Sequence, residues 1–322
     1  MAQETVYLSR SDVEASLPEP GEMVAAVEAI FQSRAEGRAQ GKPKTGLYTE
    51  GGNFFFGLMA FSEDLGYALC HNSMGTPLDK VHSGLHHIHS LEILTDFETA
   101  MPVAVMDAFW MATWIPACMT AVAAKRLAKA EPKTVGFVAS GGQARANLAT
   151  LRSVFDIEEV RAFDARKESA ESFAAHAKDQ GLKAAWSEDP RAAVAGCDIV
   201  VTSVPYHPGL EPFLEPDWVN PGGFVSMVDL ARSWRPGLER FDRLATDDHA
   251  QAKSQFADGR LKFGGPYDTD MTELVSGARP PREDASHRAA IIHPGHAIGI
   301  LALAALIHDR ARAAGRGTPL PQ

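Results

Sequence analysis

The chain has 322 residues, of which 45% are hydrophobic and 22% are charged, a composition typical of a folded globular protein. At roughly 100–200 residues per domain, this length predicts two domains. The formal net charge is −10, and no run of Lys or Arg is longer than two. These properties argue against a basic face for nucleic acid, so we expect no nucleic-acid partner.

The longest apolar stretches without charge do not reach the length of a membrane span. Residues 109–124 and 297–307 are both shorter than the roughly 20 residues that a span needs, so we interpret them as buried helices. Cys70, Cys118 and Cys197 are widely spaced, and the N-terminus has no apolar segment. We therefore expect a cytoplasmic protein without a membrane partner.

The first part of the chain predicts one helix and an antiparallel sheet. After Pro20, apolar residues recur at helical spacing, with charged residues between them. This amphipathic pattern consists of Met23, Val24, Val27, Ile30 and Phe31. From residue 47 to residue 107, short β-like runs are broken by Gly, Pro and Asp, which favours an antiparallel sheet.

The middle of the chain alternates strands with helices after a helix predicted over 110–128. The predicted elements are strands at 134–138, 160–163, 183–186, 198–202 and 224–228, with helices at 142–155 and 168–180. This alternation is typical of βαβ units and a doubly wound parallel sheet. The fold class that we predict is α/β, with a Rossmann-type sheet and a further α+β domain.

A glycine-containing turn follows the first strand of this region and opens its helix. Ser140, Gly141, Gly142 and Gln143 stand where a dinucleotide-binding fold places the diphosphate against free backbone N–H groups. Ala139 occupies the position of the first glycine in the usual fingerprint. A purely structural turn is therefore the alternative interpretation of this segment.

An acidic residue in the expected place supports the nucleotide interpretation. Asp164 ends the second strand, about 20 residues after the turn, where a carboxylate accepts the ribose hydroxyls and repels a 2′-phosphate. Arg166 and Lys167 follow it and weaken that discrimination. We predict NAD as the cofactor, with Asp164 and Arg166 in its site.

Several segments together resemble the ornithine cyclodeaminase/mu-crystallin superfamily. The matching segments are collinear between about residues 20 and 311, and are 96–107, 138–145, 198–205, 219–222 and 273–277. The resemblance implies a homodimer and two domains. A substrate-binding and dimerisation domain would comprise 1–122 plus 299–322, and an NAD-binding Rossmann domain 123–298. It also implies that Ser203, Val204 and Val228 contact the cofactor.

The sequence departs from this family at the residues that bind the substrate. Family members that act on amino acids hold the carboxylate with Arg, Lys and Arg, and here those positions are Lys44, Ala68 and Ile115. Loss of two cations predicts that ornithine is a poor substrate and that the natural substrate lacks a tightly clamped carboxylate.

The proton-handling Asp of the family also falls on another residue, Ala231. Asp229 lies two positions earlier and Arg232 directly after. We predict Asp229 and His293 as the groups that handle a proton and Lys44 as the cation that orients the substrate. The alternative for Asp229 is a carboxylate that caps a backbone N–H in its loop.

Five of the twelve histidines lie between residues 71 and 89. From these we predict His71 and His89, together with Arg232, as substrate-binding residues. A metal held by His71, His87 and His89 is the alternative, but no Cys or acidic residue has supporting spacing. We therefore predict no metal.

These observations lead to one main functional hypothesis and two alternatives. The main one is an NAD-dependent oxidoreductase that moves a hydride to or from a C=N or C=O carbon of a small substrate. The second is a cyclodeaminase that uses NAD catalytically and releases ammonia. The third is a nucleotide-dependent binding protein without turnover.

Overall fold

The computed structural model describes residues 4–77, 80–82, 84–207, 209–280 and 282–321. The chain divides into a first unit, Met1–Ile115 with Gly295–Gln322, and a second unit, Pro116–Pro294. The sequence placed these boundaries after residue 122 and before residue 299. The roles of the units in substrate binding and NAD binding stay predictions.

The first unit is built on a mostly antiparallel sheet. Its strands are β1 (Val6–Leu8), β2 (Ala39–Gly41), β3 (Thr45–Tyr48), β4 (Phe54–Ser62), β5 (Tyr67–Gly75), β6 (Ile88–Asp96), β7 (Pro102–Asp107) and β16 (Thr318–Pro319). The strand order is β16-β1-β7-β6-β5-β4-β2, and β3 also pairs with β4. The pairing is antiparallel throughout, except that β1 runs parallel to β7.

Three helices belong wholly to the first unit: α1 (Arg10–Glu14), α2 (Pro20–Ala35) and α8 (Ala297–Ala313). The start of α2 is stabilised by a capping box between Glu19 and Glu22, with Pro20 in the first turn. Its apolar positions are buried as the sequence predicted, and α2 and α8 contact each other and the sheet. One face of β4, β5 and β6 is thereby covered.

The second unit is built on a parallel sheet. Its strands are β8 (Thr134–Val138), β9 (Glu159–Phe163), β10 (Lys183–Trp186), β11 (Ile199–Thr202), β12 (Phe224–Met227), β13 (Arg243–Thr246), β14 (Thr269–Asp270) and β15 (Ala289–Ile292). The order is β10-β9-β8-β11-β12-β15-β13-β14, and every described pairing is parallel. Since the five strands predicted here occupy the order 3-2-1-4-5, the Rossmann-type prediction is confirmed.

The helices of this region follow the same alternation. They are α3 (Met111–Leu127), α4 (Gly142–Arg152), α5 (Lys167–Asp179), α6 (His249–Ala257) and α7 (Met271–Ser276). The predicted end of α4 at residue 155 is too late. Ser153 is the C-cap, and its Oγ donates to the Thr150 carbonyl at 2.7 Å, a local bond that competes with continuation of the helix.

The carboxyl ends of parallel strands lie at one edge of a sheet, so the loops after β8, β9, β11 and β12 share an edge.

Among the described residues, no helix combines the length and apolar character required to cross a lipid bilayer.

Candidate functional site

The turn between β8 and α4 presents an uncapped helix N-terminus. Ala139 has a φ of 71°. Gly141 is the N-cap of α4, and because it is a glycine it has no side chain that could cap the first N–H groups of the helix. A Cβ atom on Gly141 or Gly142 would meet no other part of the chain within 4 Å. Gln143 lies in the first turn, and its carbonyl accepts a hydrogen bond from Asn147 Nδ2. This open turn fits the diphosphate of a dinucleotide.

Asp164 lies beside this turn and binds it directly. Its Oδ2 accepts the Ser140 N–H at 2.8 Å, and its Oδ1 accepts the Arg166 N–H at 2.9 Å. A carboxylate has about four acceptor sites, so about two are left for hydroxyl donors. The Asp164 side chain is 11% exposed, whereas that of Arg166 is 78% exposed. The structure thus brings Ser140 and Asp164 together, as the nucleotide interpretation requires.

The predicted residues after β11 and β12 lie at the same edge of the sheet. The Ser203 N–H donates to the Val138 carbonyl at 3.0 Å, which joins the β11 loop to the end of β8. The Val204 N–H donates to the carboxylate of Asp229. Val228 directly follows β12 and is half-buried. Their contacts with a cofactor stay predictions.

Asp229 is buried at this edge and receives several hydrogen bonds. Its side chain is 3% exposed; Oδ1 accepts from Thr202 Oγ1 at 2.9 Å and Oδ2 from Ser233 Oγ at 2.5 Å. Burial raises the pKa of Asp229, while the donors Ser233 and Thr202 act in the opposite direction. With the Val204 N–H included, three donors leave about one acceptor site on the carboxylate. That site can hold a proton.

The loop after Asp229 is tightly turned. Leu230 and Ala231 have φ values of 59° and 61°, in the left-handed region that disfavours residues with a side chain. Such conformations cluster at functional sites. The turn ends at Arg232, whose N–H donates to the Asp229 carbonyl at 3.2 Å.

The Arg232 side chain is held over an aromatic ring. Its Cζ lies 5.3 Å from the centre of the Tyr206 ring, and Tyr206 is 64% exposed. Burial lowers the pKa of Arg232, Asp229 opposes this, and the nearby Arg260 lowers it further. Within the described part of the chain, the guanidinium makes no hydrogen bond or ion pair.

His293 ends a chain of hydroxyl groups inside the second unit. Its Nε2 lies 3.0 Å from Ser226 Oγ, which lies 2.7 Å from Thr120 Oγ1, and Thr120 donates to the Pro116 carbonyl at 3.0 Å. Each hydroxyl has one hydrogen, so Ser226 donates to Thr120 and accepts from His293. This order assigns the proton to Nε2. Burial lowers the pKa of His293 to about 4, so the imidazole is neutral at pH 7.

Lys44 lies in the first unit, between β2 and β3. Its Nζ is 5.2 Å from the centre of the Phe56 ring, which stacks on Phe54 at 4.7 Å. A Cβ atom on Gly295 would lie 3.4 Å from the same Nζ, and Gly295 has a φ of 97°. Glycine at this position therefore leaves room for the ammonium group beside the start of α8.

The two predicted substrate histidines are not brought together. His71 pairs with Glu92 on the covered face of the sheet, at 3.2 Å between Nδ1 and Oε1, and both side chains are fully buried. His89 pairs with Met74 and lies on the other, exposed face. Alternation along β5 and β6 causes this separation, because successive side chains point to opposite faces.

The register of β5 and β6 also argues against the alternative in which His71, His87 and His89 hold one metal ion. It places His71 on the opposite face from His89, so these two cannot share one ion. Within residues 4–77, 80–82, 84–207, 209–280 and 282–321, no group of three His, Cys, Asp or Glu side chains is arranged to hold a metal.

Sequence reasoning missed several polar residues of the second unit. Thr202 and Ser226 lie in fully buried strands, and a hydroxyl within such an apolar run was a signal that this position has a specific partner. Ser233 and Tyr206 carry no comparable local signal, because their partners come from other loops.

Comparison with known proteins agrees with this architecture. A family model described as the ornithine cyclodeaminase/mu-crystallin family matches residues 3–315. The alanine dehydrogenase of Archaeoglobus fulgidus is 31% identical over 98% of this chain and 98% of that protein. The ketimine reductase mu-crystallin of Mus musculus is 24% identical over 96% of this chain and 98% of that protein.

A solved structure has the same fold over nearly the whole chain. An archaeal alanine dehydrogenase dimer with bound NAD gives a TM-score of 0.87 at 28% identity, covering 99% of each chain. The predictions of fold class and family are therefore confirmed. From the family match and the full-length relatives, the chain belongs to the ornithine cyclodeaminase/mu-crystallin family.

Proposed function

We propose that the chain is an NAD-dependent oxidoreductase that transfers a hydride between the nicotinamide and a C=N or C=O carbon of a small substrate. The observation that carries this proposal is the open N-terminus of α4 beside Asp164, which accepts the Ser140 N–H at 2.8 Å. The activities named for the relatives, alanine dehydrogenase and ketimine reductase, support it.

The second unit has residues that fit each polar part of the dinucleotide. The backbone at Gly141 and Gly142 fits the diphosphate, because both positions are exposed and open. The two remaining acceptor sites of Asp164 fit the ribose hydroxyls, and its charge disfavours a 2′-phosphate. When bound, the nicotinamide supplies or accepts the hydride.

Asp229 is the group that we assign to proton transfer. It is the second residue beyond the carboxyl end of β12, where open α/β sheets place their ligands. Burial raises its pKa towards the working pH, a change that favours general acid–base chemistry. The hydroxyls of Thr202 and Ser233 fix the orientation of the carboxylate.

His293 is better suited to positioning than to donating a proton as an imidazolium. Its pKa is lowered to about 4, and its Nε2–H is directed to Ser226. We therefore assign His293 to holding β12 in place beside β15. Lys44 remains the proposed cation that orients the substrate. The burial of His71 against Glu92 favours a structural role for that pair. His89, whose ring centre lies 6.3 Å from that of His86 on the exposed face, stays a proposed substrate-binding residue.

We also propose that the protein is a homodimer. The sheet face opposite α2 and α8 exposes large apolar side chains on neighbouring strands, and such patches mark interfaces. They include Phe55, Met59, Met74, Leu91 and Ile93. The dimer named for the archaeal alanine dehydrogenase supports this assembly.

We also propose a cytoplasmic location. It agrees with the free thiols of Cys70, Cys118 and Cys197, which all lie in the described part of the chain.

The direct test combines nucleotide binding with product analysis. Binding of NADH to the protein is measured by fluorescence titration. The NADH-loaded enzyme is then supplied with small 2-oxo acids and ammonium. Oxidation of NADH with formation of an amino acid supports the proposal. Ammonia release from a diamino acid without net redox identifies the cyclodeaminase alternative, and binding of NADH with neither reaction identifies a binding protein.

A variant pair tests the role of Asp229. Asp229→Asn is expected to lower kcat by at least about a hundredfold, the typical contribution of general acid–base catalysis, with NADH binding retained. Asp217→Asn is the matched control, because Asp217 is exposed and paired with Arg240 at the surface of the same unit. Equal activity of both variants would remove Asp229 from the reaction.

A further inference from the structure

We propose that Arg232, supported by Tyr206, binds the carboxylate of the substrate from within the second unit. The proposal rests on the proposed oxidoreductase function and specifies its substrate as a small 2-oxo or 2-imino acid. The sequence predicted a substrate without a tightly held carboxylate, because Ala68 and Ile115 replace two cations of the family. In this proposal the carboxylate is instead bound by Arg232, at a different position in the chain.

The first argument concerns the donors of Arg232. A guanidinium has five N–H donors in a planar fork that matches a carboxylate. Those of Arg232 meet no acceptor in the described part of the chain, although the side chain is largely covered by its surroundings. Burying a cation without hydrogen bonds is costly, so this arrangement is best explained by an anionic ligand that completes it.

The second argument concerns the local charge. Asp229 is the acidic group that attracts Arg232, but its oxygens already accept from Thr202, Ser233 and the Val204 N–H. Arg260 adds a second positive charge close to Arg232. In the described part of the chain, the Asp229 carboxylate makes no hydrogen bond or ion pair with the Arg232 guanidinium, so it does not take up the donors that a substrate carboxylate would use.

The third argument concerns the position of the group and its access. Arg232 follows the turn at the carboxyl end of β12, and Tyr206 follows β11 at the same edge. Val204, Leu230 and Phe263 pack against one apolar cluster of the second unit, so the three loops are held together. The Tyr206 ring fixes the guanidinium by a cation–π contact and is itself exposed, which leaves an approach from solvent.

The test measures binding of oxalate, a small dicarboxylate, to NADH-loaded protein by calorimetry. Arg232→Gln is expected to weaken oxalate binding by about ten- to a hundredfold, the loss expected for hydrogen bonds to a charged group. Arg232→Lys retains the charge but not the fork, so its affinity should fall between those of the wild type and Arg232→Gln. The affinity for NADH should stay unchanged in both.

Arg235→Gln is the matched control, because Arg235 belongs to the same loop but is exposed and paired with Glu215 at 2.6 Å. Thermal unfolding of each variant verifies that it is folded. Oxalate affinity that is equal in wild type and Arg232→Gln, or absent from the wild type, would overturn the proposal while leaving the oxidoreductase function intact. If NADH does not bind, the proposed function fails, and the same oxalate titration on nucleotide-free protein still decides the anion site.

Discussion

Ser226 Oγ and His293 Nε2 lie 3.0 Å apart, between strand β12 and the residue that directly follows the adjacent strand β15. The two residues are 67 positions apart in the sequence, and both are buried. Burial lowers the pKa of this imidazole to about 4, compared with 6.5 for an unperturbed histidine. The folded state therefore holds His293 neutral under conditions in which the unfolded chain protonates it.

This pKa difference predicts a pH dependence of stability. Between pH 6.5 and about 4, the unfolded chain binds a proton at His293 that the folded chain does not, so stability falls as the pH is lowered through this window. The contribution is about 3 kcal/mol across the window, at about 1.4 kcal/mol per pH unit. Urea unfolding at several pH values should show a smaller pH slope for His293→Gln than for wild type. Ser226→Ala keeps the imidazole and should retain the slope; an unchanged slope in His293→Gln would contradict this assignment.

Asp164 should determine the choice between NAD and NADP. Its carboxylate borders the α4 turn, with the exposed Arg166 beside it, so Asp164→Ser removes the charge that repels a 2′-phosphate. We expect NADH affinity to fall by about tenfold, the equivalent of about 1.4 kcal/mol, and NADPH affinity to rise. Fluorescence titration with both nucleotides measures the change. Asp189→Ser, at an exposed turn of the same unit, should alter neither affinity, and a wild type that prefers NADPH would refute the prediction.

Ala139 should be a site where glycine stabilises the fold. Its φ of 71° is unfavourable for a residue with a Cβ atom by roughly 1–2 kcal/mol, and glycine lacks this penalty. After the greater chain entropy of glycine is subtracted, Ala139→Gly should raise the free energy of unfolding by about 0.5–1 kcal/mol. Ala149→Gly, inside α4, should lower it by about 1 kcal/mol. Urea denaturation that shows the same sign for both variants would argue against strain at Ala139.

The exposed face of the first sheet should mediate assembly. Met59, Cys70 and Ile93 lie in one cross-strand row, and Met59 is 60% exposed. A lysine at Met59 would bury a charge in an apolar interface, so Met59→Lys should halve the mass measured by light scattering. Phe256→Lys changes a half-exposed aromatic residue of α6 in the second unit and should leave the mass unchanged. A wild-type protein that is monomeric at micromolar concentration would exclude the homodimer.

Local patterns in the sequence predicted much of the second unit. The strand at 183–186 has the predicted bounds, and those at 134–138 and 224–227 differ by at most one residue. Here the apolar runs of buried parallel strands are flanked by polar helices, so short-range periodicity is informative. The α4 turn and Asp164 were found in the same way, because their spacing follows from one βαβ unit.

Contacts between distant segments were not predictable from those patterns. The pairing of His71 with Glu92 depends on the register of β5 and β6, and a shift of one residue would have placed His71 on the face of His89. The position of Arg232 over Tyr206 depends on two separate loops. Neither relationship leaves a trace in residue spacing, which is why the sequence assigned His71 and His89 to one site although they lie on opposite faces of the sheet.

The measurement that tests the central claim most directly is the absorbance of the reduced nicotinamide during incubation of the protein with NADH, ammonium and small 2-oxo acids such as pyruvate. The account predicts that the absorbance falls in step with formation of the amino acid, and that Asp229→Asn stops both while still binding NADH. If NADH remains intact with every such acid while the protein releases ammonia from diamino acids, or if no NADH binds, hydride transfer as the net reaction would be contradicted.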